Sequence, residues 1–256
     1  MARLTASFRS AALRSLAHAE VIFPLAPAEG PATQRVLYLL HGMTDGCTAW
    51  VNNTRITHYA NLHQFVVIMP EVHNSFYTDL AYGADYFTYV AHELPGVVEH
   101  IFNIKHKRET TYVAGLSMGG YGAAKLALSR PEFFIAGAAF SGALDTEWVL
   151  DELPKQDAYN RKLATSIAGP EFQIPEGGDL FELASNLAYA KEKPRMLVTC
   201  GTEDFLLDSN RKFDTLMKTL PYEYAYKEWK GEHDWNFWEE SLPVMFDFFN
   251  KQGEFA

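Results

Sequence analysis

Five short apolar runs, each closed by a turn-forming residue, set the rhythm of the chain: Ala19–Phe23, Arg35–Leu40, Phe65–Met69, Thr110–Ala114 and Ile135–Phe140, with a sixth at Met196–Cys200 and a more polar one at Tyr222–Trp229. Nearly continuous apolar runs of this length belong to strands buried on both faces of a parallel sheet. Between them lie stretches of helical character: Trp50 to Asn61, about Asp85 to Phe102 with Pro95 expected to kink it, Ala123 to Ser129, Asp208 to Leu220 and Trp235 to Asn250. Strands alternating with helices predict an α/β fold, a mostly parallel central sheet with helices on both faces. Two segments break the alternation. Glu71 to Tyr89 is polar and rich in tyrosine and reads as a loop over one end of the sheet. Gly142 to Lys193 is interrupted by Pro154, Gly169-Pro170, Pro175 and Gly177-Gly178, yet keeps Trp148, Tyr159, Phe172 and Phe181. That aromatic content predicts a packed, cap-like excursion within a single domain spanning residues 1–256.

Chemistry enters at Gly115-Leu116-Ser117-Met118-Gly119. Gly-x-Ser-x-Gly arises by chance in roughly one chain in ten of this length, so the pattern alone is modest evidence. Here an apolar strand precedes it and a helix beginning at Met118 follows. That context predicts the nucleophile elbow of an α/β-hydrolase, a tight strand-to-helix turn that lifts a serine hydroxyl into the open. A serine hydroxyl needs a base and a group to orient that base, in the chain order Ser, Asp or Glu, His. Asp204 stands just after the Met196–Cys200 run, and His233 lies between the last strand and the last helix. Three carboxylates crowd the acid position. Asp204 has the strand-end location, Asp208 reads as the N-cap of the next helix, and Glu203 should point elsewhere. His41 is assigned to shaping the turn after its strand, and His73 to solvent. The remaining histidines have ordinary surface or interfacial explanations, and none pairs at a convincing zinc spacing. An oxyanion hole would use the backbone N–H groups of Met118 and Met43. Bulky side chains on the loops expected around the site (Trp50, Tyr77, Tyr82, Trp148 and Trp235) are the candidates for substrate contact.

Composition removes competing classes. The net charge of −10, with no lysine- or arginine-rich block, argues against nucleic acid or an anionic membrane as partner. Two cysteines, Cys47 and Cys200, make no disulfide framework or metal motif. The stretch Ala11 to Ala19 is interrupted by Arg14, Ser15 and His18, unlike a signal peptide, and no run reaches the roughly 18 apolar residues of a membrane span. A cytoplasmic enzyme acting on a small-molecule ester, with no cofactor and no metal, is expected; a homo-oligomer stays open.

The segments Tyr38–Met43, Tyr82–Tyr86, Ala114–Gly122, Phe140–Leu144, Cys200–Leu206 and Gly231–Trp235 together resemble the tributyrin esterase family, in the esterase D group with S-formylglutathione hydrolases and feruloyl esterases. The similarity runs from about Ser7 to Phe249. It implies a carboxylesterase of the α/β-hydrolase fold acting on short acyl esters, with Ser117, Asp204 and His233 as its triad. His41-Gly42 and Tyr121 depart from the Ser-Gly and His usual in the S-formylglutathione hydrolases, which argues against the glutathione thioester as main substrate. A thioester hydrolase or an acyltransferase would use the same residues. A non-catalytic binding module is disfavoured because no member of the triad is missing.

Overall fold

A computed structural model of the chain describes residues 1–25 and 34–250. Eight strands form one sheet: β1 (Ala2–Ser10), β2 (Ser15–Phe23), β3 (Arg35–Leu40), β4 (Phe65–Pro70), β5 (Thr111–Leu116), β6 (Ala136–Phe140), β7 (Arg195–Gly201) and β8 (Tyr224–Trp229). Their spatial order is β1-β2-β4-β3-β5-β6-β7-β8. The pairs from β4 through β8 are parallel, while β1–β2 and β2–β4 are antiparallel. The helices are α1 (Ala49–Asn53), α2 (Ile56–Leu62), α3 (Tyr86–Thr88), α4 (Leu94–Phe102), α5 (Met118–Ser129), α6 (Thr146–Gln156), α7 (Ala158–Ala168), α8 (Leu180–Leu187), α9 (Leu207–Met217) and α10 (Trp235–Asn250).

The two faces of the sheet make two cores. Val36, Tyr38 and Leu40 of β3 point to one, where Val113, Val198, Leu94 of α4, much of α5, and Phe213 of α9 pack. Leu37 and Leu39 point to the other, built with Trp50, Ile56 and the Phe237–Phe249 stripe of α10. Alternate side chains of a strand face opposite ways, so a strand covered on both sides must be apolar throughout. That is why the five parallel strands β3 to β7 stood out in the sequence.

Several expectations need correction. β1 was not anticipated, and β2 begins at Ser15 rather than Ala19; the two form a nine-pair hairpin in which Glu20, buried, takes hydrogen bonds from Arg3 and Thr5. The Trp50–Asn61 helix is two helices, because Thr54 is extended (φ −137°, ψ 172°). Pro95 lies inside the helical run expected over about 85–102, and the irregularity there is a π turn. This π turn over Tyr89–Glu93 joins α3 directly to α4 in unbroken helical backbone, a bulge inside the helix just ahead of Pro95. The 142–193 segment is largely helical, holding α6, α7 and α8. Pro154 sits within α6 near its end. The Pro/Gly-rich turn expected through Pro31 lies, from residue 26 on, outside the described residues.

Candidate active site

Ser117 is the hinge between β5 and α5. Its backbone is left-handed (φ 53°, ψ −118°), a strained state for a residue with a side chain. It is held from both sides: its N–H donates to the Phe140 carbonyl (2.9 Å), and its own carbonyl accepts from Tyr121 and Ala143 N–H groups (both 3.1 Å). The turn closes only because its flanks are glycine. A Cβ on Gly115 would lie 2.3 Å from the Gly119 carbonyl oxygen, and one on Gly119 would lie 2.5 Å from that of Leu40. The elbow is thereby pressed against the end of β3.

Two further loops reach Ser117 from the carboxyl end of the sheet. Asp204 follows β7, and its Oδ1 accepts the Leu206 N–H (2.8 Å). His233 follows β8, with its ring against Phe205 (centroids 4.5 Å) and edge-on to Trp238 (5.0 Å). The loops are laced together: Thr202 N–H donates to the Trp229 carbonyl and Glu203 N–H to that of Gly231, each at 2.9 Å. His233 Nδ1 stands 2.9 Å from Asp204 Oδ2 and 3.0 Å from Oδ1, and His233 Nε2 is 3.0 Å from Ser117 Oγ. The Asp204 side chain is wholly buried and that of His233 is 18% exposed. A carboxylate can only accept, so Nδ1 carries the ring proton and Nε2 is left to accept the serine hydroxyl. Asp208 is excluded from this chain of contacts. It is exposed in the first turn of α9 rather than at its N-cap, which is Leu206, two residues earlier than expected. Glu203 is exposed near Lys230 (3.9 Å).

Met118 heads α5, and Met43 lies in the turn after β3, where a Cβ on Gly42 would come within 3.6 Å of Ser117 Cβ. Among the described residues neither the Met43 nor the Met118 N–H is donated to another protein group. The Met43 turn is supported from below. Tyr77 hydroxyl donates to the His41 carbonyl (2.9 Å), Val72 N–H to His41 Nε2 (3.2 Å), and Cys47 N–H to Glu71 Oε2 (2.9 Å). Burial alone would raise the Glu71 pKa, but the His41 ring beside it (Nε2 to Oε1 3.4 Å) and hydrogen bonds from the N–H groups of Cys47 and His73 outweigh it and hold the carboxyl at about 2. His41 is thus a buried structural residue, and His73 is exposed on the loop after β4.

A cavity of about 160 Å³ opens at Ser117, lined by Met43, Met118 and apolar Phe76, Ala143, Val149, Leu153 and Leu206, with Trp148, Phe205, Glu152 and Gln156 also on its wall. Of the five side chains anticipated for substrate contact, Trp148 lines it. Trp50 does not: it is fully buried, donates Nε1–H to the Leu40 carbonyl (3.0 Å) and packs edge-on to Phe140 and Trp235. Trp235 is spent in the same cluster, edge-on to Trp238. Tyr77 is fully buried under the Met43 turn. Tyr82 is exposed but its backbone is tied to Ser166 of α7 (N–H to the Ser166 carbonyl, 3.0 Å), away from the cavity lining. Sequence reasoning missed Phe205, 68% exposed beside Asp204. The available signal was a large apolar residue in an otherwise polar strand-end turn. Among the described residues, no group of three or more His, Cys, Asp or Glu is placed to hold a metal, and no helix is long and apolar enough to cross a membrane.

Comparison with known proteins finds relatives among esterases. An acetyl esterase of Caldicellulosiruptor saccharolyticus is 31% identical over 223 residues, 85% of this chain and 84% of that one. Among solved structures, a substrate-bound, fluorophosphonate-binding serine hydrolase of Staphylococcus aureus superposes with a TM-score of 0.87 at 27% identity, covering 98% and 99% of the two chains. An S-formylglutathione hydrolase of the same organism gives 0.84 at 27%, with the same coverage. The family described as "Putative esterase" matches residues 10–249, and the chain belongs to that esterase family, as a carboxylic ester hydrolase on an α/β-hydrolase fold.

Proposed function

We propose that the protein is a serine carboxylesterase for short-chain acyl esters, acetyl to butyryl, working through an acyl-enzyme on Ser117. The observation that carries this reading is the unbroken line of contacts from Asp204 through His233 to Ser117 Oγ, at 2.9 and 3.0 Å, opening into the cavity. His233 Nε2 takes the hydroxyl proton as Ser117 Oγ attacks the ester carbonyl; Asp204 fixes the tautomer and stabilises the imidazolium. The Met43 and Met118 N–H groups receive the oxyanion, where preorganised donors act most strongly. The imidazolium gives its proton to the departing alcohol. Water then attacks the acyl-enzyme by the same route and leaves the carboxylic acid.

The narrow space beyond the cavity supports the short acyl range. Beyond Phe76, Val149 and Leu153 the free space narrows to about 10 Å³, room for about one water molecule. Each methylene that does bury adds about 0.8 kcal/mol, so activity should hold or rise to butyryl and then fall. At the mouth, Trp148 and Phe205 offer aromatic faces beside Glu152 and Gln156, which suits a sugar or phenolic leaving group. The acetyl esterase relative supports the short acyl group, and the S-formylglutathione hydrolase neighbour makes a thioester the alternative to test.

The test is a panel of p-nitrophenyl acetate, butyrate and octanoate, a feruloyl ester, an acetylated sugar and a formyl thioester, run with the parent and Ser117→Ala. The variant should lose on the order of 10⁴ or more in turnover with its fold intact. Retention of a tenth of the parent rate would remove Ser117 as nucleophile, and a kcat/KM maximum at octanoate would remove the short-acyl reading.

A further inference from the structure

The loop after β4 takes left-handed backbone at three residues that are not glycine: His73 (φ 51°), Phe76 (φ 51°) and Tyr77 (φ 49°). Such conformations persist only where their surroundings over-determine them. Here the surroundings are the nucleophile helix on one side and the Met43 turn on the other. The Tyr77 ring lies against Gly122 of α5 so closely that a Cβ there would fall 2.4 Å from it. Lys125, one turn further along α5, donates its Nζ to Thr78 Oγ1 (2.9 Å) and to the Tyr77 carbonyl (3.3 Å). The Tyr77 hydroxyl then reaches the His41 carbonyl (2.9 Å), two residues before Met43.

We propose that Tyr77 and Lys125 are positioning residues, a strut from the nucleophile helix to the Met43 turn that sets the distance between Ser117 and its oxyanion donor. This rests on the reading of Met43 as that donor. The ammonium is a costly choice for a spacer. Lys125 is buried, and burial lowers its pKa to about 8 despite the opposing pull of Asp79. Asp79, His92, Arg130 and Glu176 share with it the wall of a cavity of about 410 Å³, and the rings of Phe87 and Tyr121 lie 4.8 and 5.7 Å from its Nζ. An apolar side chain would avoid the desolvation cost, so what the lysine adds is the fixed placement of the Tyr77–Thr78 backbone.

The experiment compares Tyr77→Phe, Lys125→Met and the double variant with Tyr112→Phe, a buried tyrosine at the opposite end of β5. For each, kcat and KM on p-nitrophenyl acetate, the inhibition constant of phenylboronic acid as a tetrahedral adduct, and the thermal midpoint are measured. Tyr77→Phe should lower kcat about ten- to hundredfold with KM within about twofold, since a donor displaced rather than removed loses less than the full 10²–10³. Phenylboronic acid should weaken by a matching factor. Lys125→Met should move kcat the same way without lowering the thermal midpoint, and the double variant should fall short of the product of the single effects. Tyr112→Phe should leave kcat unchanged. If Tyr77→Phe keeps kcat and boronate affinity within twofold of the parent while Ser117→Ala is inert, the strut alone is overturned. Turnover in Ser117→Ala would instead remove the underlying reading, and this inference with it.

Discussion

Gly201→Ala is the sharpest single test of how the acid and base are held. Gly201 ends β7 and faces Gly231, between β8 and His233. A Cβ on Gly201 would lie 2.3 Å from the Gly231 carbonyl oxygen, 2.6 Å from its carbonyl carbon and 3.3 Å from Glu232 N. All three are backbone atoms with no flexible end to swing aside. Contact between nonbonded heavy atoms becomes favourable only near 3.5 Å, so relieving the clash means parting the loops by roughly 1.2 Å. Asp204 and His233 are three and two residues from the point of contact, and the 2.9 Å hydrogen bond between them would open past the range in which it is a bond at all. A misplacement of this size costs about 10², and full loss of the acid's orientation about 10⁴, so kcat should fall between those limits. Overpacking should remove about 1–3 kcal/mol of stability, a drop of about 2–4 °C for each kcal/mol in a domain of this size. Gly96→Ala is the matched control. Nothing lies within 4 Å of a Cβ at this α4 position, so it should leave kcat unchanged and add up to about 1 kcal/mol. Steady-state hydrolysis of p-nitrophenyl acetate and thermal melts measure both variants. A Gly201→Ala enzyme within about threefold of parental kcat would show that loop spacing does not control the Asp204–His233 pair.

Two further expectations concern single side chains. Asp204→Asn should lower kcat by roughly 10⁴, while Asp208→Asn, exposed at the start of α9, should change it by less than about twofold; reversed effects in the same assay would transfer the acid role. Burial, then the charges of Glu71 and Glu20, pushes the Cys47 thiol up to about 11; burial, then Asp204, pushes Cys200 higher still. Thiolate is the reactive form and gains population only as pH rises toward the pKa. At pH 8 iodoacetamide should therefore label neither cysteine at the rate of the unfolded chain, as mass spectrometry would read; rapid labelling of native Cys200 would contradict its burial.

The parts that were legible are those where one physical constraint writes directly into composition. Burial on both faces forces continuous apolar runs, so β3 appears with its observed ends. The elbow needs glycine at 115 and 119 for lack of space, and strand-end placement favoured Asp204 over Asp208. β1 was hidden because its residues face solvent on most of their length, and its turn at residues 11–14 closes through Arg14 at φ 52° with no glycine or asparagine to mark it. The 142–193 helices were hidden behind their prolines and glycines. Their signal was the aspartates: Asp145, Asp157 and Asp179 each accept an N–H of the helix they precede. Aromatic residues near the site were the hardest to place. Nothing periodic orients a loop side chain, and Trp50 and Phe205 differ by which way the backbone turns them, not by residue type.

The separation of 116 positions between Ser117 and His233 also sets a clock. The strand and helix that bend the serine into place are complete while β7, β8 and α10 have yet to be made. At about 5–20 residues per second, that interval lasts roughly 6–25 s on the ribosome. Under the proposed mechanism the hydroxyl has no base throughout it, and the chain should be silent toward esters. On that mechanism activity needs the two loops docked across Gly201 and Gly231, so the return of hydrolysis during refolding should report that docking.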